Sequence, residues 1–308
     1  MFLGTPAFAV PSLEALARLR DDGVVRIAGV ITQPDRKGSR GVTREPPVKE
    51  AARALGLELL QPERLSAGEL APVLALRPDL LVWAAYGNKI PKALLDAVTD
   101  RAVNVHASLL PRWRGAAPVA HAILGGDAET GVTLMEGTPE LDAGPILAQA
   151  KTRISERETR GELEDRLARL GADLLERELP RYLRGELVRR PQEKRLVTLA
   201  PKLDPSAGEL DLAQPADLLM RTVRAYTPDP GAFVVFRGQR IGVLRASVAG
   251  GRGVAQGTFE LRDGFPHVAA GAGWLRLEEV TPAGRRAMRG DEWARGLRGV
   301  GAGEKIPS

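Results

Sequence analysis

The chain has 308 residues, 44% hydrophobic and 27% charged, with no cysteine, three histidines and a formal net charge of +5. That length and apolar content suffice for one large domain or two ordinary ones, and the missing cysteine excludes thiol nucleophiles, disulfides and cysteine-based metal sites. No basic start precedes a long apolar run and no stretch is apolar enough to span a bilayer, so a cytoplasmic location without a membrane partner is expected.

The start, "MFLGTP", reads as the last residues of a strand running into a tight turn. So short a first strand is atypical, and several native N-terminal residues are expected to be missing. A helix follows at residues 12–20, then a strand, "VVRIAGVIT", at 24–32. The next stretch, "TQPDRKGSRGVTREPP", combines turn formers with Arg36, Lys37, Arg40 and Arg44 and is long for a βα connection. Residues 32–49 carry a net charge of about +3, which is either a solvated loop or a contact for a polyanion. Beyond it come a helix at 48–55, a strand at 79–85, a helix at 91–98 and the strand "AVNVHA" at 102–107. Strands alternating with helices in this way predict βαβ units in a doubly wound, mainly parallel sheet.

Ligands of open α/β sheets bind beyond the carboxyl ends of the strands, where "AVNVHA" delivers Asn104 and His106. Two residues apart on a strand, their side chains share a face. A neutral N–H donor beside a group that titrates near neutrality suits acyl transfer to an amine, because the oxyanion needs a donor and the attacking nitrogen must lose a proton. The carboxylate that would orient the imidazole and share the proton is Asp142, in the glycine-flanked turn "ELDAGPI". By spacing alone, an Asn-x-His at a strand end is more often structural than catalytic. His121, in the helix-like "APVAHAIL", and His267 read as packed or surface residues.

After "VTLMEG" and "ILAQAKTRI", a long helix aligns Leu163, Leu167, Leu170 and Leu174 on one face. The proline-containing segment that follows reads as a linker, giving a first domain at 1–190, a linker at 191–205 and a second domain at 206–308. The second domain has one short helix, "PADLLMRTVRAY", and then strand-like pieces punctuated by glycine, the pattern of a small antiparallel barrel. It carries about +3 from Pro201 onward.

Together "GTPAFAVPSL", "TQPDRKGSRG", "AAYGNKIP", "NVHASLLPRWRGAAPVAHAI", "GDAETGVTLM" and "LDAGPIL" resemble the methionyl-tRNA formyltransferases over nearly the whole chain. "RAYTPDPGAF" and "PAGRRAM" narrow the likeness to the tRNA-directed branch of the folate-dependent formyltransferases. The resemblance implies a Rossmann-like formyltransferase domain followed by an OB-like barrel. The implied reaction is formyl transfer from 10-formyltetrahydrofolate, as co-substrate, to methionine on initiator methionyl-tRNA, without a metal; a monomer is expected. Asn104, His106 and Asp142 match the family's catalytic triplet. Ser108, Leu109, Leu110 and Pro111 match the stretch lining the folate site, with Tyr86 and Gly87 nearby.

Pro111 fixes its own backbone and restricts Leu110, so "SLLP" becomes a rigid pocket edge, with a cis Leu110–Pro111 bond expected. Arg112, Trp113 and Arg114 are then expected to face the substrate entrance, the alternative being that both arginines are solvated surface charges. The resemblance also places Arg36, Lys37, Arg40 and Arg44 on the tRNA acceptor end, in a loop expected to be mobile until tRNA binds. Arg285 and Arg286, with Arg237, Arg240, Arg245 and Arg289, are the barrel's candidates for phosphate contacts. Phe233 and Leu199 depart from the family's usual Trp and Tyr, as packing changes. A formyltransferase for a small amine, such as an amino sugar nucleotide or glycinamide ribonucleotide, would share the triplet but lack the basic loop and arginine-rich barrel. A non-catalytic folate- or RNA-binding protein would not need the triplet.

Overall fold

The computed structural model describes residues 1–37, 43–98, 101–251, 254–297, 299 and 304–306. The chain enters each of two units more than once. The first comprises Met1–Pro118, Glu129–Arg153 and Glu164–Pro201, and the second Val119–Ala128, Ile154–Leu163 and Lys202–Ser308.

In the first unit, seven strands among the described residues form one sheet. Their order is Ile146–Arg153, Glu129–Glu136, Ala102–His106, Leu81–Ala84, Phe2–Gly4, Val30–Ile31 and Leu59–Leu60. The pairs from Ala102–His106 to Leu59–Leu60 are parallel, and the two at the other end are antiparallel. Three-residue Phe2–Gly4 lies between Val30–Ile31 and Leu81–Ala84 in this doubly wound sheet: the chain steps outward from it to Val30–Ile31 and Leu59–Leu60, then crosses back to Leu81–Ala84 on its other side. The predicted helices are Val10–Asp21, Pro47–Ala54 and Lys92–Ala97, and Ala67–Ala75 adds one that the pattern did not reveal. The strand expected at 24–32 is only Val30–Ile31. Val24 and Val25 finish the preceding helix by donating to the Leu19 carbonyl, and the sheet ladder begins where the Gly29 carbonyl accepts from Phe2.

Helix Arg160–Leu183 buries Leu163, Leu167 and Leu174 as its leucine spacing predicts, but Leu170 is half-buried. The contact passes instead through Gly171, where a Cβ would lie 2.8 Å from the Val105 side chain. Because strand side chains alternate, a helix seated on Val105 leaves Asn104 and His106 on the opposite face.

The second unit carries an antiparallel sheet in the order Ala232–Phe236, Gln239–Ala249, Trp274–Pro282, Phe265–Ala269, Thr258–Arg262 and Glu304–Lys305. Register shifts around Arg245 curl it into an OB-like half-barrel. Asp263 and Gly264 supply the two positive φ angles of a tight hairpin turn. Phe236, Phe259 and Trp293 pack with ring centroids 4.6–6.1 Å apart. Helix Ala216–Tyr226 brings in the buried Arg224, whose guanidinium donates to the Glu158 and Ser155 carbonyls at 2.8 and 2.6 Å. Burial without those acceptors would be costly, and it lowers the Arg224 pKa.

Candidate active site

Strand Ala102–His106 is buried along its whole length, between Leu81–Ala84 on one edge and Glu129–Glu136 on the other. Its register sets Asn104 opposite Met135 and His106 opposite Thr133. The chain leaves that neighbouring strand at the amino end of Ala102–His106, where the Gly137 amide donates to the Ala102 carbonyl, and folds back through 137–145 to set Asp142 against Asn104 and His106. Asn104 Nδ2 donates to Asp142 Oδ1 at 3.3 Å, and His106 Nδ1 stands 3.7 Å from Asp142 Oδ2. All three residues are 5–8% exposed.

The imidazole is oriented from its other nitrogen. His106 Nε2 lies 3.0 Å from the Trp113 carbonyl, and a carbonyl only accepts, so the neutral ring keeps its proton on Nε2 and its lone pair on Nδ1. Asp142 is fixed in turn: the Gly115 amide donates to its Oδ2 at 2.9 Å, and its backbone adopts φ +48°, a left-handed conformation that a non-glycine residue holds only when its surroundings impose it. Gly115 can donate there because it has φ +126° and no side chain; a Cβ would lie 2.6 Å from the Ala200 carbonyl.

The stretch 188–201, whose part from 191 onward was read from sequence as linker, is fastened around this site within the first unit. Arg190 and Ile146 exchange both backbone hydrogen bonds, Leu199–Ala200 pairs in parallel with Arg114–Gly115, and Thr198 Oγ1 accepts from the Trp113 amide at 2.9 Å. A cleft of about 520 Å³ opens beside the Asp142 turn, lined in part by Arg114, Ala143, Pro145, Gln192 and Val197. Gly144 sets the turn's closeness to the sheet, since a Cβ would fall 1.8 Å from the Glu136 carbonyl. Backbone has no rotamer with which to give way, so Gly144→Ala is expected to cost about 1–3 kcal/mol, read as a lowered urea midpoint at unchanged slope. An unchanged midpoint would show that the turn is not under this constraint.

The Leu110–Pro111 bond is cis. Ser108 Oγ donates to the Arg112 carbonyl at 2.6 Å, while Thr133 Oγ1 donates to the Ser108 carbonyl at 2.7 Å and accepts from the Leu110 amide at 3.1 Å. Gln149 Nε2 donates to the Leu110 carbonyl at 3.0 Å. These bonds leave Leu109 and Pro111 half-buried on a rigid edge. Thr133, Gln149 and Thr198 were missed in sequence; a threonine inside the apolar run "GVTLM" was the one available signal. The Tyr86 side chain lies in the core with Leu3, Ile31 and Leu81, and its carbonyl accepts from Thr5 and Gln33. That position therefore offers only its backbone to the surface, beside Gly87, which has φ +85°.

The basic loop begins and ends as a small antiparallel ribbon, Arg36–Lys37 with Thr43–Arg44, that sets Arg36 directly opposite Arg44. Both arginines are exposed; Arg40 lies outside the described residues. At the ribbon's base, Lys49 Nζ reaches Asp35 at 2.5 Å and Glu45 at 2.9 Å, so one buried ammonium joins both ends of the loop. Hydrogen bonds from Gln61 and Lys49 hold the Asp35 carboxyl below its usual range, and Lys49 does the same for Glu45. The clamp is therefore complete above the ordinary carboxylate range and is lost as pH falls through these depressed values.

Arg112 stacks over Trp113 at 4.3 Å, and Arg114 bonds Gln192 at 3.0 Å. In the second unit, Arg285 and Arg286 are exposed, and Arg240 lies 3.7 Å over the Phe233 ring. Arg237, Arg245 and Arg289 already hold carboxylates, those of Glu304, Glu162 and Asp291. His267 Nδ1 meets the Phe265 carbonyl at 3.0 Å, and burial lowers the pKa of this ring. Among the described residues no three His, Cys, Asp or Glu side chains are grouped to hold a metal, and no helix is long and apolar enough to cross a membrane.

A family model described as formyl transferase matches residues 1–179, and one described as formyl transferase, C-terminal domain, matches 202–298. The chain is 46% identical to a methionyl-tRNA formyltransferase of Halorhodospira halophila, over 97% of this chain and 96% of that one. It is 45% identical to another of Myxococcus xanthus, over 96% and 94%. Among solved structures, an N-formyltransferase of Helicobacter canadensis, in complex with folinic acid and dTDP-3-aminofucose, aligns with TM-score 0.69 over 90% of this chain and 97% of that one. At 15% identity that likeness is one of fold.

Proposed function

Because this chain belongs to the methionyl-tRNA formyltransferase family, we propose that it transfers the formyl group of 10-formyltetrahydrofolate to the α-amino group of methionine on initiator methionyl-tRNA, with Asn104, His106 and Asp142 as its catalytic residues. The convergence of these three buried side chains carries the reading.

The folate, when bound, supplies a formyl group activated on nitrogen. Asn104 donates from Nδ2 to the formyl oxygen as negative charge gathers there. His106 takes at Nδ1 the proton shed by the attacking amine and gives it to the nitrogen that leaves. Asp142 faces the resulting imidazolium and holds its charge, while Trp113 keeps the ring in place through Nε2. One carbon–nitrogen bond forms as another breaks, and no protein nucleophile is required. The edge Ser108, Leu109, Leu110 and Pro111, with the Tyr86 backbone and Gly87, suits the folate: its backbone groups are largely satisfied, and half-buried Leu109 and Pro111 offer apolar atoms to a flat heterocycle.

For the tRNA, Arg36 directly opposite Arg44 is an unfavourable pairing that nearby phosphates relieve. Lys37 and Arg40 extend this contact, and Arg285 and Arg286 supply a second one. The first unit, which runs to Pro201, does the chemistry, so the expected linker shrinks to 202–205, and 206–308 add tRNA affinity, in a cytoplasmic monomer. Lys49→Met, which frees both ends of the basic loop, is expected to raise the KM for tRNA about fivefold and leave that for folate unchanged. Equal KM values for tRNA would remove the loop base from recognition.

The deciding experiment measures transfer of a labelled formyl group from 10-formyltetrahydrofolate to charged initiator tRNA, charged elongator methionyl-tRNA and small amines in parallel. Transfer to the initiator alone is expected. Transfer to a small amine instead would reassign the acceptor.

A further inference from the structure

We infer that Gln192 is a positioning residue for the transfer reaction, holding the turn that presents Asp142 to His106; the inference rests on the functional reading above. Its side-chain amide is committed at every polar atom that the geometry engages. Nε2 donates to the Asp142 carbonyl at 2.9 Å and to the Gly144 carbonyl at 2.7 Å, and Oε1 accepts from Arg114 Nε at 3.0 Å. Two carbonyls on one side and a guanidinium on the other leave a single orientation for the amide.

No other side chain of this length does the same work. Lysine would bring a second cation beside Arg114, glutamate would turn an oxygen toward two carbonyls, and methionine offers no donor to them. The turn needs such a restraint, because Asp142 sits at φ +48° and a relaxed backbone would carry its carboxylate away from His106. Gln192 is itself fixed by its neighbours. Arg190 exchanges backbone bonds with Ile146, and Arg189 Nε meets the Glu136 carboxylate at 2.7 and 2.8 Å. Glu136 also accepts from the Tyr182 hydroxyl at 2.9 Å, so the clamp is anchored to both the sheet and the long helix. Gln192 acts through Asp142 and is not itself a catalytic residue.

The test compares the full-length enzyme with Gln192→Met and Gln192→Glu by steady-state kinetics across pH, with labelled formyl transfer to charged initiator tRNA as the readout. Gln192→Met is expected to lower kcat about tenfold or more, since displacements near 1 Å cost up to about a hundredfold, while both KM values stay within about threefold. Gln192→Glu keeps the shape and the Arg114 contact; its rate relative to the parent should be low at neutral pH and recover as the new carboxyl takes up a proton and can donate again. Loss of packing alone would not produce that recovery. Parent-like kcat and pH profiles in either folded variant, whatever their melting temperatures, would overturn the inference. Absence of transfer by the parent itself would overturn the functional reading and this role with it.

Discussion

His106→Ala is expected to lower turnover at least about a hundredfold while tRNA binding is largely kept, a loss at the lower end of what general-base catalysis contributes. The expectation follows from how the ring is held. With Nε2 on the Trp113 carbonyl, the basic nitrogen is Nδ1, and it faces Asp142 across 3.7 Å, so the imidazolium is stabilised where it forms. Alanine removes the proposed proton acceptor, and Asp142, held in place by the Gly115 amide, does not move into the vacated position. Single-turnover transfer with saturating folate and tRNA measures the chemical step apart from binding. A rate within about threefold of the parent would refute the assignment of the base.

The second large effect is expected at Asn104, where alanine should cost about a hundredfold to a thousandfold in kcat with KM for either substrate little changed. Its carboxamide is buried and aimed by Asp142, so the donor is in place before any charge develops and needs no reorganisation during the reaction. The two substitutions should not add. Both act on one transition state, and Asn104→Ala also takes a donor from Asp142 Oδ1, so the double variant should be little slower than His106→Ala alone. A KM effect without a kcat effect would make Asn104 a binding residue.

The strand that carries Asn104 and His106 was legible because it is short, apolar and interrupted only by those two polar residues. The long helix was legible from its leucines, although the closest contact passes through Gly171, whose importance comes from a Val105 side chain 66 positions earlier. The supports of the site were not legible for the same reason. Gln192 and Thr198 sit in a polar, proline-containing stretch that looks like a connector until Arg190 is seen to pair with Ile146 and Leu199 with Arg114. Arginine counting in the barrel had a related limit. Composition places the cations there, but only the fold shows that Arg237, Arg245 and Arg289 already face carboxylates, whereas Arg285 and Arg286 project from an exposed turn.

The burial of Arg224 bears on how far this protein is modular. Its acceptors, the carbonyls of Ser155 and Glu158, come from a stretch encoded well before the barrel, as does Glu162, the partner of Arg245. A fragment beginning at Lys202 would leave one guanidinium in an apolar setting with its acceptors deleted. Recombination or cloning that treats the barrel as a detachable cassette must carry Ile154–Leu163 with it, so the gene's natural seams do not coincide with the sequence boundary where the second family model begins.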